Sequence, residues 1–183
     1  PWWFTRETAL GRTSAMDMYR KARHSVTLNP TNKAIMERID GHIDQATSDY
    51  LQTADWSANM QLVDEINAIR TQAVIDETAR SIRKKLQSKN VRVVKLALML
   101  IETLVKNCNV AFHQAIATTK FMETISRVAR TYTKRNSKRD EMEIGDKVLE
   151  LIQSWGEAFL PHRDTMPLFV ETYHKLRKEG LPF

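Results

Sequence analysis

The sequence NVRVVKLALMLIETLVKNCN, residues 90–109, decides the fold of this 183-residue chain. On a helical wheel, with about 100° between successive residues, its polar side chains fall on one narrow strip. The strip contains Arg92, Lys95, Glu102, Thr103 and Lys106. Roughly two-thirds of the circumference is apolar, whereas a surface helix needs only about one-third. The pattern therefore predicts a central helix that other helices cover on several sides, with one strip left in water.

The composition suits one helical domain. A chain of this length can bury a well-packed core, and 42% of its residues are hydrophobic, with only five glycines and five prolines. The longest apolar run, residues 96–101, is far shorter than the roughly 18 residues of a membrane span. A single cysteine excludes an intrachain disulfide. The N-terminus shows no secretory signal, and because it starts at Pro1 without a methionine we expect a piece of a larger protein.

Apolar spacing predicts helices along almost the whole domain, so the fold class is all-α. We interpret residues 1–32 as an N-terminal extension with a short helix starting after Ser14, and residues 33–183 as the domain. Besides the central helix, the predicted helices include residues 35–46, 56 to about 67, a third ending near 87, one or two over 112–132, 143–159 and 167–179. Asp55 and Gly180 are the predicted caps. The central helix is expected to stop at Asn107 or Asn109, where asparagine suits the left-handed conformation of a C-cap.

The net charge of +6 is concentrated in two clusters. Residues 80–95 carry seven basic side chains and no acidic one, and residues 134–139 form a second basic cluster. The first cluster supplies candidate contacts for phosphoinositide or other anionic lipid headgroups, namely Arg80, Arg83, Lys84, Lys85, Lys89 and Arg92. A solvated helix face and a soluble loop are the alternative. Nucleic acid is a weaker target, because no aromatic residues interleave the basic ones.

Four segments, in this order, resemble a VHS domain, the helical module at the N-terminus of endosomal and Golgi sorting proteins. They are DQATS at 44–48 with Asp55-Trp56; 89–108 ending in Lys106-Asn107-Cys108, with Phe112-His113; DKVLELIQSW at 146–155 with Ala158-Phe159; and Tyr173, Leu176 and EGLPF at 179–183. The resemblance runs from about residue 33 to the end. It is closest to the target-of-Myb type, with the Hrs type next.

This resemblance implies a right-handed superhelix of about eight helices in a non-enzymatic, cytoplasmic adaptor, peripherally associated with endosomal or Golgi membranes. The implied partners are ubiquitin, ubiquitinated cargo and other sorting-machinery proteins, without a cofactor or metal. Three features depart from the family pattern. Asn109 replaces a glycine, the basic loop 133–140 looks longer than usual, and residues 1–30 have no counterpart.

On the second predicted helix, Trp56, Met60 and Val63 form a stripe displaced from the core stripe. VHS domains that bind ubiquitin present the tryptophan, and the apolar residue four positions later, to the hydrophobic patch of ubiquitin. The resemblance therefore implicates Trp56 and Met60, with Lys95 and Met99 of the fourth helix as neighbours. Met99 falls inside the polar strip of the wheel, where packing in the core does not explain an apolar side chain. The alternative is that Trp56 is mainly structural.

Two other functions are disfavoured. The coat-adaptor branch clasps acidic dileucine signals between the sixth and eighth helices, but the lysine it uses corresponds here to Leu168, so Trp155 and Tyr173 are interpreted as packing residues. The glycines are too scattered for a phosphate loop, and neither HExxH nor CxxC occurs. Cys108 lies on the apolar face of its helix, where thiols are usually inert. We therefore expect no catalytic activity.

Overall fold

The computed structural model describes residues 29–134 and 138–183, and the regular elements in these two ranges are all helical. The α-helices are α1 (Pro30–Ala46), α2 (Trp56–Ala68), α3 (Gln72–Leu86), α4 (Val91–Asn107), α5 (Val110–Ile116), α6 (Thr119–Tyr132), α7 (Arg139–Ala158) and α8 (Pro167–Lys178). A short 3₁₀ helix, Leu160–His162, follows α7. The predicted all-α class with about eight helices is confirmed.

Local side chains determine where the first two helices begin. Asn29 precedes α1, and its Oδ1 accepts a hydrogen bond from the Asn32 backbone amide at 2.8 Å. Pro30 then occupies the first turn, where its missing N–H has no helical partner to lose. The predicted cap Asp55 acts in the same way on α2, since its Oδ1 accepts from the Ala58 amide at 3.0 Å. Both caps satisfy amides that a helix leaves open at its start.

The predicted glycine cap of α8 is also confirmed. Gly180 has a φ of +85°, the left-handed conformation that favours glycine. The Gly180 amide donates to the Arg177 carbonyl at 3.0 Å, and the Leu181 amide donates to the Leu176 carbonyl at 3.2 Å. These two bonds are those of a Schellman motif, which ends the helix.

The end of α4 agrees with its prediction in position, since the helix stops at Asn107, but not in backbone conformation. Cys108 and Asn109 are both extended, with φ of −86° and −73°, so the expected left-handed asparagine is wrong. Asn109 instead starts α5, because its Oδ1 accepts from the Ala111 amide at 3.1 Å. Its own amide donates to Asn67 Oδ1 at 2.9 Å. The chain therefore turns from α4 into α5 through an asparagine cap, which needs no glycine-like conformation.

The central helix α4 packs on α1, α2, α3, α5 and α7. Its buried residues are Val94, Leu96, Ala97, Leu98, Leu100, Ile101, Thr103 and Leu104. The prediction of a helix covered on several sides is confirmed, except that Thr103 leaves the polar strip. Its hydroxyl donates to the Met99 carbonyl at 3.1 Å, so burial leaves the hydroxyl with a partner. Beyond α4, α7 packs on α6 and α8.

The start of α7 is the second difference. The helix begins at Arg139, ahead of the predicted residue 143, because Glu141 Oε2 accepts from the Lys138 amide at 3.0 Å and closes the first turn. The connection from α6 to α7 is therefore 133–138, shorter than the predicted loop. The short helix expected after Ser14 lies outside the described residues. Within the two described ranges, no helix is long and apolar enough to cross a membrane.

Candidate functional site

Trp56 and Met60 project from the first two turns of α2. Trp56 is 58% exposed and Met60 41%, although both side chains are large and apolar. Val63, expected in the same stripe, is only 3% exposed and belongs to the core. Val63 lies only about 20° from Trp56 around the helix, so the difference follows from position along α2, since Val63 lies in the middle of the helix and Trp56 is its first residue. The exposed stripe therefore contains Trp56 and Met60 but excludes Val63.

Hydrogen bonds hold α2 alongside α4 at both ends. In the loop before α2, the Asp49 carboxylate accepts from Asn90 Nδ2 at 3.0 Å, and its carbonyl oxygen accepts from Arg92 at 2.8 Å. At the other end, Asn67 Nδ2 donates to the Asn107 carbonyl at 3.1 Å. The loop that leads into α2 thus contacts the start of α4, and the C-terminal ends of the two helices also meet. The helices run in the same direction.

This parallel arrangement sets the heights of the candidate residues. Counting back from Asn67 and Asn107, Met60 lies within about one residue, or roughly 1.5 Å, of the height of Met99 of α4, and Trp56 lies within about one residue of Lys95. Trp56, Met60 and Asn67 also fall within about 40° of one another around α2. Because Asn67 reaches across to α4, this shared edge is the one that faces α4.

Lys95 and Met99 lie on different edges of the exposed strip of α4. Lys95 Nζ is 2.5 Å from Glu143 Oε2 of α7, so Lys95 is engaged on the α7 side. Met99 is half-buried and lies about 40° further round, towards α2. Met99 therefore lies nearer the α2 side of the strip than Lys95, whose Nζ pairs with Glu143 of α7.

The rest of the strip is a row of ion pairs. The Glu102 carboxylate lies 2.7 Å from Lys106 Nζ and 2.7 Å from Lys147 Nζ of α7, and Lys147 also lies 3.1 Å from Glu150. Burial by itself raises the pKa of Glu102, but hydrogen bonds from the two lysines outweigh it and lower the pKa below its ordinary value of 4.5. The strip expected to be left in water thus joins α4 to α7.

Asn59 is a notable residue that the sequence reasoning missed. It lies between Trp56 and Met60 in sequence but is only 1% exposed, on the core face of α2. Neither its Oδ1 nor its Nδ2 has a hydrogen-bond partner among the described residues. A buried amide without partners destabilises the fold by roughly 1–3 kcal/mol. No pattern in the sequence distinguishes it from an exposed polar residue.

Comparison with known proteins identifies the fold. The sequence model of the VHS domain matches residues 33–180. The chain belongs to the VHS domain family. It is 36% identical over 156 residues to the mouse (Mus musculus) target of Myb1 membrane trafficking protein, covering 85% of this chain and 30% of that protein. TOM1-like protein 6 of Arabidopsis thaliana is 34% identical over 141 residues, covering 77% of this chain and 20% of that protein.

A solved structure is also similar to this VHS domain. The crystal structure of the VHS and FYVE tandem domains of Hrs, a protein involved in membrane trafficking and signal transduction, matches with a TM-score of 0.66 and 26% identity. The match covers 79% of this chain and 62% of that one. The expected family, near the target-of-Myb and Hrs types, is confirmed, and the fold is a helical superhelix. The chain spans only 20% to 30% of the two curated relatives named above.

Two candidate lipid contacts in the basic run 80–95 of this VHS domain pair with carboxylates. Arg80 lies 3.1 Å from the Glu77 carboxylate, within α3. Lys85 Nζ lies 2.7 Å from Asp44 Oδ1 of α1. These acidic partners come from neighbouring positions or other helices. The net positive charge around the run is therefore lower in the folded domain than its sequence suggests.

The remaining candidate lipid contacts are spread over two elements. Arg92 donates to a backbone carbonyl in the α1–α2 loop. Lys84 and Lys89 are exposed and Arg83 is half-buried. Within the described residues no ion pair of these three is present. In the second basic cluster Lys134, Lys138 and Arg139 are exposed, whereas residues 135–137 lie outside the described ranges.

The VHS domain shows little that resembles reactive chemistry. Among the described residues, no three or more histidine, cysteine, aspartate or glutamate side chains cluster as metal ligands. Burial raises the pKa of the Cys108 thiol to about 12, which disfavours the reactive thiolate. A ring nitrogen of His113 is 2.8 Å from the Val105 carbonyl, a structural contact. Trp155 and Tyr173 are buried, as expected of packing residues.

Proposed function

We propose that this VHS domain binds ubiquitin through a surface formed by Trp56 and Met60 of α2 and Met99 of α4, which we call the α2–α4 surface. The exposure of Trp56 and Met60 side by side, on the edge of α2 that faces α4, carries this proposal. Tryptophan and methionine are enriched at protein interfaces because one buries a large area and the other adapts its shape. The surface suits a small apolar patch on a partner.

Such a contact is weak by itself. Three side chains cover far less than the roughly 1,200 Å² at which stable interfaces begin, so binding is transient and gains strength through multivalency. We propose that the domain is part of a non-enzymatic adaptor that sorts ubiquitinated cargo with other sorting-machinery proteins. The relatives named for membrane trafficking support this role. We place the adaptor in the cytoplasm, peripherally associated with endosomal or Golgi membranes.

Titration with ubiquitin, followed by amide NMR shifts, tests the proposal. Trp56→Ala should weaken binding by about thirtyfold or more, the effect expected for a central interface residue. Leu160→Ala is the matched control, since it shortens another exposed apolar side chain, in the 3₁₀ helix. We expect that variant to bind like the wild type. No shifts at millimolar ubiquitin, or equal losses in both variants, would contradict ubiquitin binding.

Docking to anionic membranes through the basic run is a second candidate, supported by the exposure of Lys84 and Lys89. Each basic residue near an anionic surface contributes about 1 kcal/mol. Charge reversal at Lys84, Lys85 and Lys89 should therefore release the domain from anionic liposomes in a sedimentation assay. Sedimentation that these reversals leave unchanged would exclude this surface.

A further inference from the structure

A pocket of about 230 Å³ opens between the C-terminal halves of α4 and α7. Its apolar lining residues are Val105 of α4 and, in α7 or directly after it, Leu151, Trp155, Ala158 and Phe159. Small-molecule sites usually measure roughly 300–1,000 Å³. The pocket is smaller than that, so it suits one large apolar side chain of a partner better than a whole small molecule.

The pocket has an open rim and a firm floor. Ser154 and Ala158 are exposed and lie four residues apart, so they form one edge of α7 at the opening. Trp155 and Phe159 are buried, and both rings pack on Phe169 of α8, with centroids 5.8 and 4.1 Å away. Because α8 supports this aromatic floor, a side chain can enter from the rim without displacing it.

The lysines beside the pocket are already engaged. Lys106 Nζ and Lys147 Nζ both lie 2.7 Å from the Glu102 carboxylate, and Lys147 Nζ also lies 3.1 Å from Glu150. Two cations thus balance two carboxylates in this cluster. A further acidic group on the same edge would therefore leave negative charge that these lysines do not offset.

An acidic stripe of this kind runs along α7. Asp146, Glu150 and Glu157 are exposed and fall within about 40° of one another around the helix. Asp146 and Glu157 form no ion pair with any residue in the ranges 29–134 and 138–183. Although the chain has a net charge of +6, the edge of α7 beside the pocket is acidic. Charge complementarity therefore favours a basic partner.

The spacing along α7 indicates the pattern of that partner. Ser154 marks the middle of the pocket wall, and at 1.5 Å per residue Glu150 lies about 6 Å before it and Glu157 about 4.5 Å after it. In an extended peptide, side chains two positions apart point to the same side and lie roughly 6.6 Å apart. A peptide with an apolar residue in the pocket can therefore bring a basic residue to each carboxylate from two positions away.

We propose that this pocket, which we name the α4–α7 pocket, binds an extended segment of a partner protein with that pattern. A large apolar residue such as leucine enters the pocket, and lysine or arginine two positions to each side pairs with the acidic stripe. Burial of the apolar side chain supplies affinity, whereas the carboxylates fix register and exclude acidic segments. All lining residues belong to α4, α7 and the residue after α7, so the proposal does not depend on ubiquitin binding.

Fluorescence anisotropy with a labelled peptide tests the pocket. The probe has leucine at its centre, lysine two positions to each side and serine elsewhere. Ala158→Phe fills the opening and should weaken binding by about tenfold or more, the effect of losing a buried leucine. Ala34→Phe makes the same change at an exposed alanine of α1 and should bind like the wild type. No binding of the probe at millimolar concentration, or equal losses in both variants, would overturn the proposal.

A second set of changes tests the charges. Glu157→Lys should weaken binding of the lysine probe and strengthen binding of a probe with glutamates in place of its lysines. Glu37→Lys alters the net charge equally on α1 and should do neither. Equal binding of both probes by the wild type, or binding that survives replacement of the central leucine by alanine, would contradict the proposed recognition. The ubiquitin titration reports on Trp56 and Met60 instead, so either proposal can fail while the other stands.

Discussion

Gly156→Ala tests how α7 packs on α8, because a methyl group at this position collides with the neighbouring helix. A Cβ on Gly156 would lie 2.7 Å from both Cβ and Cδ1 of Tyr173, and 2.8 Å from its Cγ. Tyr173 is buried, and its ring packs edge-on against Phe183 with centroids 5.1 Å apart. Since the Cβ of Tyr173 is fixed to the backbone, no side-chain rotation moves it. The helix α8 itself has to shift.

Two opposing effects set the size of the change. Alanine stabilises a helix interior by about 1 kcal/mol relative to glycine. Overpacking a core typically lowers the free energy of unfolding by about 1–3 kcal/mol, and occasionally by more. A clash with atoms that are fixed to the backbone is expected at the upper end of this range. We expect the free energy of unfolding to fall by roughly 2 kcal/mol. For a chain of this size, that lowers Tm by roughly 4–8 °C.

Gly41→Ala is the matched control. Gly41 lies in α1 and is exposed, and a Cβ there meets nothing within 4 Å. Only the helix preference acts, so this variant should gain up to about 1 kcal/mol. Urea unfolding followed by circular dichroism measures both. A Gly156→Ala variant as stable as Gly41→Ala would refute the close packing of α7 and α8.

Three further predictions concern buried or paired groups. Asn59→Leu removes an amide without partners, so the urea midpoint should rise by the equivalent of about 1 kcal/mol, and a fall would show that the amide is satisfied. Glu102→Gln should cost roughly 1 kcal/mol at neutral pH. The pKa of folded Glu102 is below 4.5, so the stability that its carboxylate contributes is complete above that pH and is lost on further acidification. The unfolding free energies of the wild type and the variant should therefore converge at low pH. A difference that stays constant with pH would contradict the pairing of Glu102 with Lys106 and Lys147. Cys108 should resist alkylation in native protein and react once urea unfolds it, whereas rapid native labelling would show an accessible thiolate.

The fold could be predicted because its signals are local. The spacing of apolar residues in α4 indicates that this helix is buried on several sides. Asp55 and Gly180 cap their helices through amides and carbonyls only a few residues away. The left-handed conformation predicted for Asn109 is wrong because an asparagine can cap either the end of one helix or the start of the next. The choice is made by Asn67, forty-two residues earlier, whose side chain accepts from the Asn109 amide.

The candidate site was only partly predictable, since charge partners come from distant segments. The sequence predicts the exposed stripe of Trp56 and Met60, but it also predicts Val63 there, because a wheel does not show how wide the core face is. The resemblance suggests Lys95 as a neighbour of this stripe, but the sequence does not show that Glu143, forty-eight positions away, pairs with it.

The α2–α4 surface is tested most directly by methionine methyl NMR during a ubiquitin titration. The methyl signals of Met60 and Met99 should shift together, because both residues belong to the proposed α2–α4 surface. Met142 provides the internal control, since it is 55% exposed on α7, and its signal should not move. Shifts at Met142 with Met60 and Met99 unchanged would contradict the account.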